Sequence, residues 1–134
     1  MNFKIISIVL LLLFTSSIAC AGENTEVISF EDVDFNIPDN FTQGDVKDYN
    51  KLGSEGKLTV FENESETIEI IVINDWMGMS LDDLYIDGAL SKTVNQHKGW
   101  SYTKNNIDYF SYAEDNKGII VGSSNHELLN EIII

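Results

Sequence analysis

The sequence predicts a single α+β domain, an antiparallel β-sheet with flanking helices, behind a cleaved N-terminal signal. Three observations predict it: segments in which apolar and polar residues alternate, two helix-start patterns that each follow a group of strands, and one N-terminal apolar run. The order strands, helix, strands, helix is typical of α+β folds with antiparallel pairing. The residues after the signal number about 110, the usual size of one domain.

Residues 1–21 have the three parts of a secretory signal peptide. Lys4 precedes an apolar stretch from Ile5 to Phe14, and small residues follow as far as Ala21. A stable membrane-spanning helix needs about 20 apolar residues, roughly twice the length of this stretch. We therefore expect the signal to be removed, with cleavage either before Cys20 or after Ala21.

Cys20 is the only cysteine of the chain. The segment from Ser17 to Cys20 resembles the lipobox of prokaryotic lipoproteins, although Ser17 stands where that family usually has leucine. The resemblance implies cleavage before Cys20 and a diacylglycerol on its thiol, whereas cleavage after Ala21 would release a secreted domain. A single thiol cannot form an intramolecular disulfide, so the domain must be held together by its core.

The part of the chain after the signal is strongly acidic. It holds all 22 acidic residues and seven lysines, which leaves a net charge of −15, and it contains no arginine. Nucleic-acid binding depends on neutralising phosphates with Lys and Arg, so nucleic acid is excluded as a partner. Anionic lipid headgroups are disfavoured for the same reason. The expected contacts are the membrane, through a lipid on Cys20, and an envelope protein.

The domain is expected over residues 27–134, after a short polar tether at 22–26. Its first half alternates in the manner of strands at 27–30 and 33–37, the second of which ends at Pro38. Further strands are expected at 46–49, 58–61 and 67–73. The last two are predicted to form a hairpin, and the apolar end of 67–73 indicates a central strand covered on both faces.

Two helices and a three-stranded meander complete the predicted fold. The pattern from Ser80 to Asp83 predicts a short amphipathic helix that stops at Gly88, and Ser124 to Glu127 predicts the start of a closing helix. Between them, strands are expected around 94 and at 99–104, 107–113 and 118–123. Turn residues at 105–106 and 115–118 favour antiparallel hairpins.

Three segments of the chain resemble the Mog1/PsbP-like fold: Val33 to Phe41, Ser80 to Leu84, and the strands that start near Gly99. A second resemblance, from Thr93 to Tyr102 and on through the final helix, is to a small C-terminal domain of unknown function in exported bacterial proteins. These resemblances imply an antiparallel sheet sandwiched by helices and a binding or accessory role. They imply no active site, because a fold alone does not fix function.

The loop after the strand at 67–73 is the strongest candidate for a contact site. It places Trp76, Met77 and Met79 between a strand and a helix. Exposed, these apolar side chains would form a contact site for a partner or a membrane surface. The alternative is that Trp76 and one methionine cap the core.

Other candidate residues carry weaker patterns. Asn40 and Asn63 begin acceptor sequences for N-linked glycan in predicted loops. His97, in a predicted turn, and His126, in the first turn of the closing helix, lack the local spacing of a metal site.

Acidic side chains form three groups in the sequence, at 31–34, 62–66 and 82–87. Their oxygens are ligands that calcium prefers, but none has the spacing of a calcium loop, and solvated strand edges, turns and helix caps are the favoured explanation. The same acidic residues could provide the paired carboxylates of a hydrolase. No nucleophile motif, phosphate loop or cofactor motif is present, so neither catalysis nor a cofactor is expected.

Together these patterns predict an exported, lipid-anchored envelope domain that acts as a non-catalytic binding or structural accessory. The alternatives are a secreted domain that binds a small ligand or divalent cation and, less favoured, a carboxylate-dependent hydrolase.

Overall fold

The computed structural model describes residues 24–50, 54–74 and 80–134. The expected signal with Cys20 and the contact residues Trp76, Met77 and Met79 lie outside these ranges. Thr25 and Glu26, which the sequence assigned to the tether, form the start of the first strand.

The described residues form ten strands and a short closing helix. The strands are β1 Thr25–Phe30, β2 Val33–Pro38, β3 Thr42–Gln43, β4 Lys47–Asp48, β5 Gly56–Glu62, β6 Thr67–Ile73, β7 Leu90–Val94, β8 His97–Lys104, β9 Ile107–Glu114 and β10 Lys117–Ser123. A 3₁₀ turn at Leu81–Leu84 lies between β6 and β7. A second 3₁₀ turn at His126–Leu128 leads into the helix α1, Leu129–Ile132.

Eight of these strands make one antiparallel sheet. Its order is β3-β5-β6-β10-β9-β8-β7, with β4 also pairing with β5, while β1 and β2 form a separate two-stranded sheet. The predicted hairpin of β5 and β6 and the predicted meander of β8, β9 and β10 are confirmed. β6 and β10 lie side by side, and their pairing joins the two halves of the large sheet.

Four hairpin turns of two residues each connect neighbouring strands without a glycine. Both turn residues have positive φ, between 46° and 74°, as the tight turns that match strand twist require. Asn and Asp tolerate this conformation better than most residues, and they occupy six of the eight positions. The turns are Glu31–Asp32, Asn95–Gln96, Asn105–Asn106 and Asp115–Asn116.

One face of the large sheet is covered by the β1–β2 hairpin and the closing helix. Phe35 of β2 is fully buried there, in the same core cluster as Ile70 of β6 and Phe110 of β9. The closing helix contributes the buried side chains that the sequence predicted, namely Leu128, Leu129, Ile132 and Ile133.

The opposite face is covered only in part. Residues 80–89, which we call the crossing segment, lead into the distant strand β7 and place Leu84 in one buried cluster with Ile73 and Ile120. This contact explains why the apolar end of β6 is buried on both faces, as its sequence predicted. The other half of this face carries half-buried tyrosines.

The predicted α+β class is wrong. Of the described residues, 58% lie in strands, eight strands form one antiparallel sheet, and the one helical segment after it, the 3₁₀ turn at His126–Leu128 together with α1, has seven residues, so strands-helix-strands-helix is not the architecture. The first expected helix is a single 3₁₀ turn, because the backbone becomes extended at Tyr85. The second stops after Ile132, because Ile133 is extended and bridges Phe35.

The capping residues were predicted with partial success. The Asp83 carboxylate accepts a hydrogen bond from the Ser80 backbone N–H at 2.6 Å, as expected for a helix start. At the closing helix the cap is Asn125, whose side chain accepts from Glu127 N–H. Ser124, the predicted cap, instead accepts a hydrogen bond from the Thr67 N–H across the sheet.

Candidate functional site

Trp100 is the largest side chain on the partly covered face near the sheet edge. Its indole N–H donates a 3.0 Å hydrogen bond to the Leu81 carbonyl in the crossing segment. Tyr85 packs edge-on against the indole, with the ring centroids 4.9 Å apart. These two contacts fix the orientation of the ring and satisfy its polar atom, so the exposed part of the indole is an apolar wall.

A groove of about 340 Å³ lies beside this wall. We call it the Trp100 groove; it is lined by Ser80, Leu81, Asp82, Ser91, Lys98, Gly99 and Trp100. Its volume falls within the range of about 300–1,000 Å³ that is common for ligand sites. An apolar wall with a few polar groups around it is also the usual composition of such sites.

The Trp100 groove opens at the edge of the sheet. Ser91 belongs to β7, the last strand of the sheet order, and pairs directly with Trp100 of β8. Leu90, the first residue of β7, is 72% exposed. Lys98 has no carboxylate of the described residues within salt-bridge distance. The groove therefore lies where the apolar surface of Trp100, the Lys98 side chain and the free edge of β7 meet.

Two tyrosines on the same face of the sheet as Trp100 are kept protonated by their burial and by a hydrogen bond. Tyr102 and Tyr109 stack with their ring centroids 5.2 Å apart, and the Tyr109 hydroxyl donates to Glu69. Burial, with Tyr49 and Glu69 nearby, raises the pKa of Tyr102 to about 12. Burial and the Glu69 carboxylate raise the pKa of Tyr109 further. These phenols are therefore neutral near pH 7 and supply no general base.

The two histidines do not come together. His126 lies 3.1 Å from an Asp108 oxygen at the start of β9, and His97 lies 3.8 Å from Glu114 at its end. Asp108 and Glu114 are six positions apart along β9, which corresponds to about 20 Å between their Cα atoms. His97 also bonds the Ile134 carbonyl oxygen at 2.7 Å, so it attaches the last residues to the sheet.

The acidic groups are likewise dispersed. In residues 24–50, 54–74 and 80–134, no three His, Cys, Asp or Glu side chains are arranged to hold a metal ion. Glu31 accepts a hydrogen bond from Asn74, and Glu66 accepts hydrogen bonds from Asn63 and Asn125. Several of these carboxylates thus connect loops of the fold.

The two glycan acceptor asparagines lie beside one open depression of about 590 Å³. Asn40 is exposed. Asn63 is half-buried: its side-chain oxygen accepts from the Ser65 and Glu66 N–H groups, and its amide nitrogen donates to Glu66. Asn40 is therefore the more accessible of the two acceptor side chains.

Sequence reasoning did not identify Trp100 as a site residue. The alternation of Trp100 and Tyr102 with polar residues indicated a half-buried strand face, which is correct. The groove arises because the crossing segment brings Leu81 to Trp100, and this contact between distant residues has no local signal in the sequence.

The chain matches no protein-family model, no curated protein and no solved structure. The resemblance to the Mog1/PsbP-like fold stays a prediction. No helix within the described residues has the length and apolar character to cross a membrane.

Proposed function

We propose that this chain is an exported, lipid-anchored, non-catalytic domain that binds a protein partner through the Trp100 groove. The signal pattern of residues 1–21 and the position of Cys20 support export and anchoring. The single observation that carries the binding proposal is the fixed apolar wall of Trp100 beside an open groove at the sheet edge.

The chemistry of the groove favours an apolar side chain as its occupant. The Trp100 indole N–H is already bonded to Leu81, so the ring offers contact area and no free donor. Burying a Leu-sized side chain contributes about 1.5–3 kcal/mol, corresponding to about a tenfold to hundredfold gain in affinity. Lys98 and the Ser80 and Ser91 hydroxyls surround the groove and suit the polar main chain beside such a side chain.

The test uses the purified exported protein and two small probes, N-acetyl-leucinamide and N-acetyl-alaninamide. Binding is followed by NMR titration of the Trp100 indole N–H and the Leu81 and Ser91 amide signals. We expect the leucine probe to shift these signals and the alanine probe to bind at least about tenfold more weakly, because alanine lacks the buried apolar surface.

Ser91→Phe supplies the decisive variant because it fills the groove without removing a core side chain. It should abolish the shifts caused by the leucine probe. Thr93→Phe is the matched control, since Thr93 lies on the same strand and the same face but does not line the groove. Equal binding by the Ser91→Phe protein would contradict the proposal.

A further inference from the structure

The edge of the large sheet at β7 has backbone hydrogen-bonding groups that no described residue pairs with. β7 is the last strand in the sheet order, and its only strand partner among the described residues is β8. Backbone N–H and C=O groups on the free side of an edge strand are the natural partners of another strand. This edge therefore has the chemistry to bind an extended polypeptide.

The register of the β7–β8 hairpin shows which groups are free. Val94 and His97 flank the two-residue turn, so they form a hydrogen-bonded pair, and such pairs alternate along an antiparallel ladder. Lys92 and Leu90 consequently point their backbone groups toward β8. Ser91 and Thr93 point theirs outward, away from the sheet.

Ser91 contributes both to the free strand edge and to the wall of the Trp100 groove. The Ser91 backbone faces outward, while its side chain lines the groove next to Trp100. A residue paired with Ser91 on an added strand would place its side chain on the same face of the sheet, because paired residues share a face. Its side chain would therefore lie at the mouth of the groove.

We infer that β7 receives an extended segment of a partner polypeptide as an added antiparallel strand, with one apolar side chain of that segment in the Trp100 groove. This inference rests on the proposed function and specifies its partner chemistry. Main-chain hydrogen bonds to Ser91 and Thr93 hold the added strand in place. The groove determines which side chain the strand must carry, as in other cases of strand addition.

A second copy of the same chain fits this edge poorly. The antiparallel register that uses Ser91 and Thr93 of both chains would put Lys92 directly opposite the same lysine of the second chain, and like charges opposite each other are destabilising. Without the signal, each chain also carries a formal net charge of −15, which opposes self-association. Lys92 instead favours a partner residue that is acidic.

These constraints define a probe peptide, acetyl-Thr-Thr-Glu-Leu-Thr-amide. Paired antiparallel to β7, it places its Glu opposite Lys92 and its Leu opposite Ser91. We expect it to bind more tightly than N-acetyl-leucinamide in the same NMR titration, and to shift the Thr93 amide signal as well as those at the groove.

Methylation of single peptide nitrogens separates strand pairing from side-chain binding. N-methylation of the peptide Leu removes a hydrogen bond to Ser91 and should weaken binding at least about fivefold. N-methylation of the Glu is the matched control, since that N–H points away from β7. A variant of the protein tests the same point. Thr93→Pro removes only an outward N–H of β7, so it should weaken binding of the peptide but not binding of the leucine probe.

The outcomes distinguish the two ideas. If both methylated peptides bind equally, or the peptide binds no better than the leucine probe, strand pairing at β7 is overturned while the groove remains. If Ser91→Phe changes neither the peptide titration nor the leucine titration, the proposed function fails as well. The methylated peptides leave the protein unaltered, so their result stands even if Thr93→Pro disturbs folding.

Discussion

Gly99 occupies a position in β8 where the sheet has no room for a side chain. A Cβ added to Gly99 would overlap the Ser111 carbonyl oxygen and lie 2.7 Å from the Phe110 ring. A Cβ added to Gly122 would meet mainly the Tyr109 ring, at 2.5 Å. The first obstacle is backbone in the sheet, whereas the second is a half-buried side chain that can turn aside.

Gly99→Ala should therefore destabilise the protein by about 2–3 kcal/mol, and Gly122→Ala by about 1 kcal/mol or less. Urea unfolding of the two variants and the wild type measures the difference. Because both substitutions add one methyl group to the same sheet, Gly122→Ala is a matched control. Equal losses in the two variants would show that the backbone contact at Gly99 is unimportant.

Individual site residues could be predicted only where local sequence determines them. Asp83 beside Ser80 was identified as part of a helix start, and their hydrogen bond is present. The hydroxyl of Ser111 is an opposite case. It is buried in β9, between Trp100 of β8 and Ile120 of β10, with no hydrogen-bond partner among the described residues, and nothing in the local pattern marks it.

The two-residue hairpin turns determine the register of the meander at the scale of secondary-structure elements. Gln96 is the turn residue least suited to its conformation, since its φ is 74° and its side chain lacks the tolerance of Asn or Gly. Asn106 occupies the equivalent position of the next turn with a φ of 65°.

Gln96→Gly should raise the free energy of unfolding by about 0.5–1 kcal/mol, because glycine adopts positive φ without steric cost. Asn106→Gly is the control and should gain less. The measurement is the midpoint of urea unfolding. If the dependence of the free energy on urea concentration is unchanged, a shift of this midpoint reports a change in stability. A lower midpoint for Gln96→Gly would contradict the prediction.

Strands were predicted far better than helices. β5, β6, β8, β9 and β10 lie close to their predicted bounds, because alternation of apolar and polar residues is a direct signal of a half-buried strand. The helix-start patterns are real but too weak to extend a helix. After one turn, tertiary contacts direct Tyr85 toward Trp100 and Ile133 toward Phe35.

At the scale of the whole molecule, the proposed location depends on Cys20. In detergent phase partition, we expect the protein to enter the detergent phase and Cys20→Ser to remain in the aqueous phase, because the serine variant cannot carry the lipid. Ser17→Leu, which restores the usual lipobox residue, is the control and should keep or increase detergent partition. Unchanged partition of Cys20→Ser would contradict the anchor.

The overall class could not be read from the order of elements alone. The sequence contains two helix starts in the right places for an α+β fold, but the large sheet is covered instead by the β1–β2 hairpin on one face and a crossing segment on the other. The pairing of β1 with β2 apart from the large sheet depends on long-range packing. Local periodicity does not report such packing.

The pairing of β6 with β10 has a kinetic consequence. The β5–β6 hairpin and the β7–β10 meander each consist of strands adjacent in sequence, so both can form early and independently. Pairing β6 with β10 joins these two units and closes the long stretch of chain between the two strands. The chain loses this conformational entropy before the central contacts form. We therefore expect this union to be the rate-limiting event, and substitutions such as Val121→Ala in that seam to slow refolding.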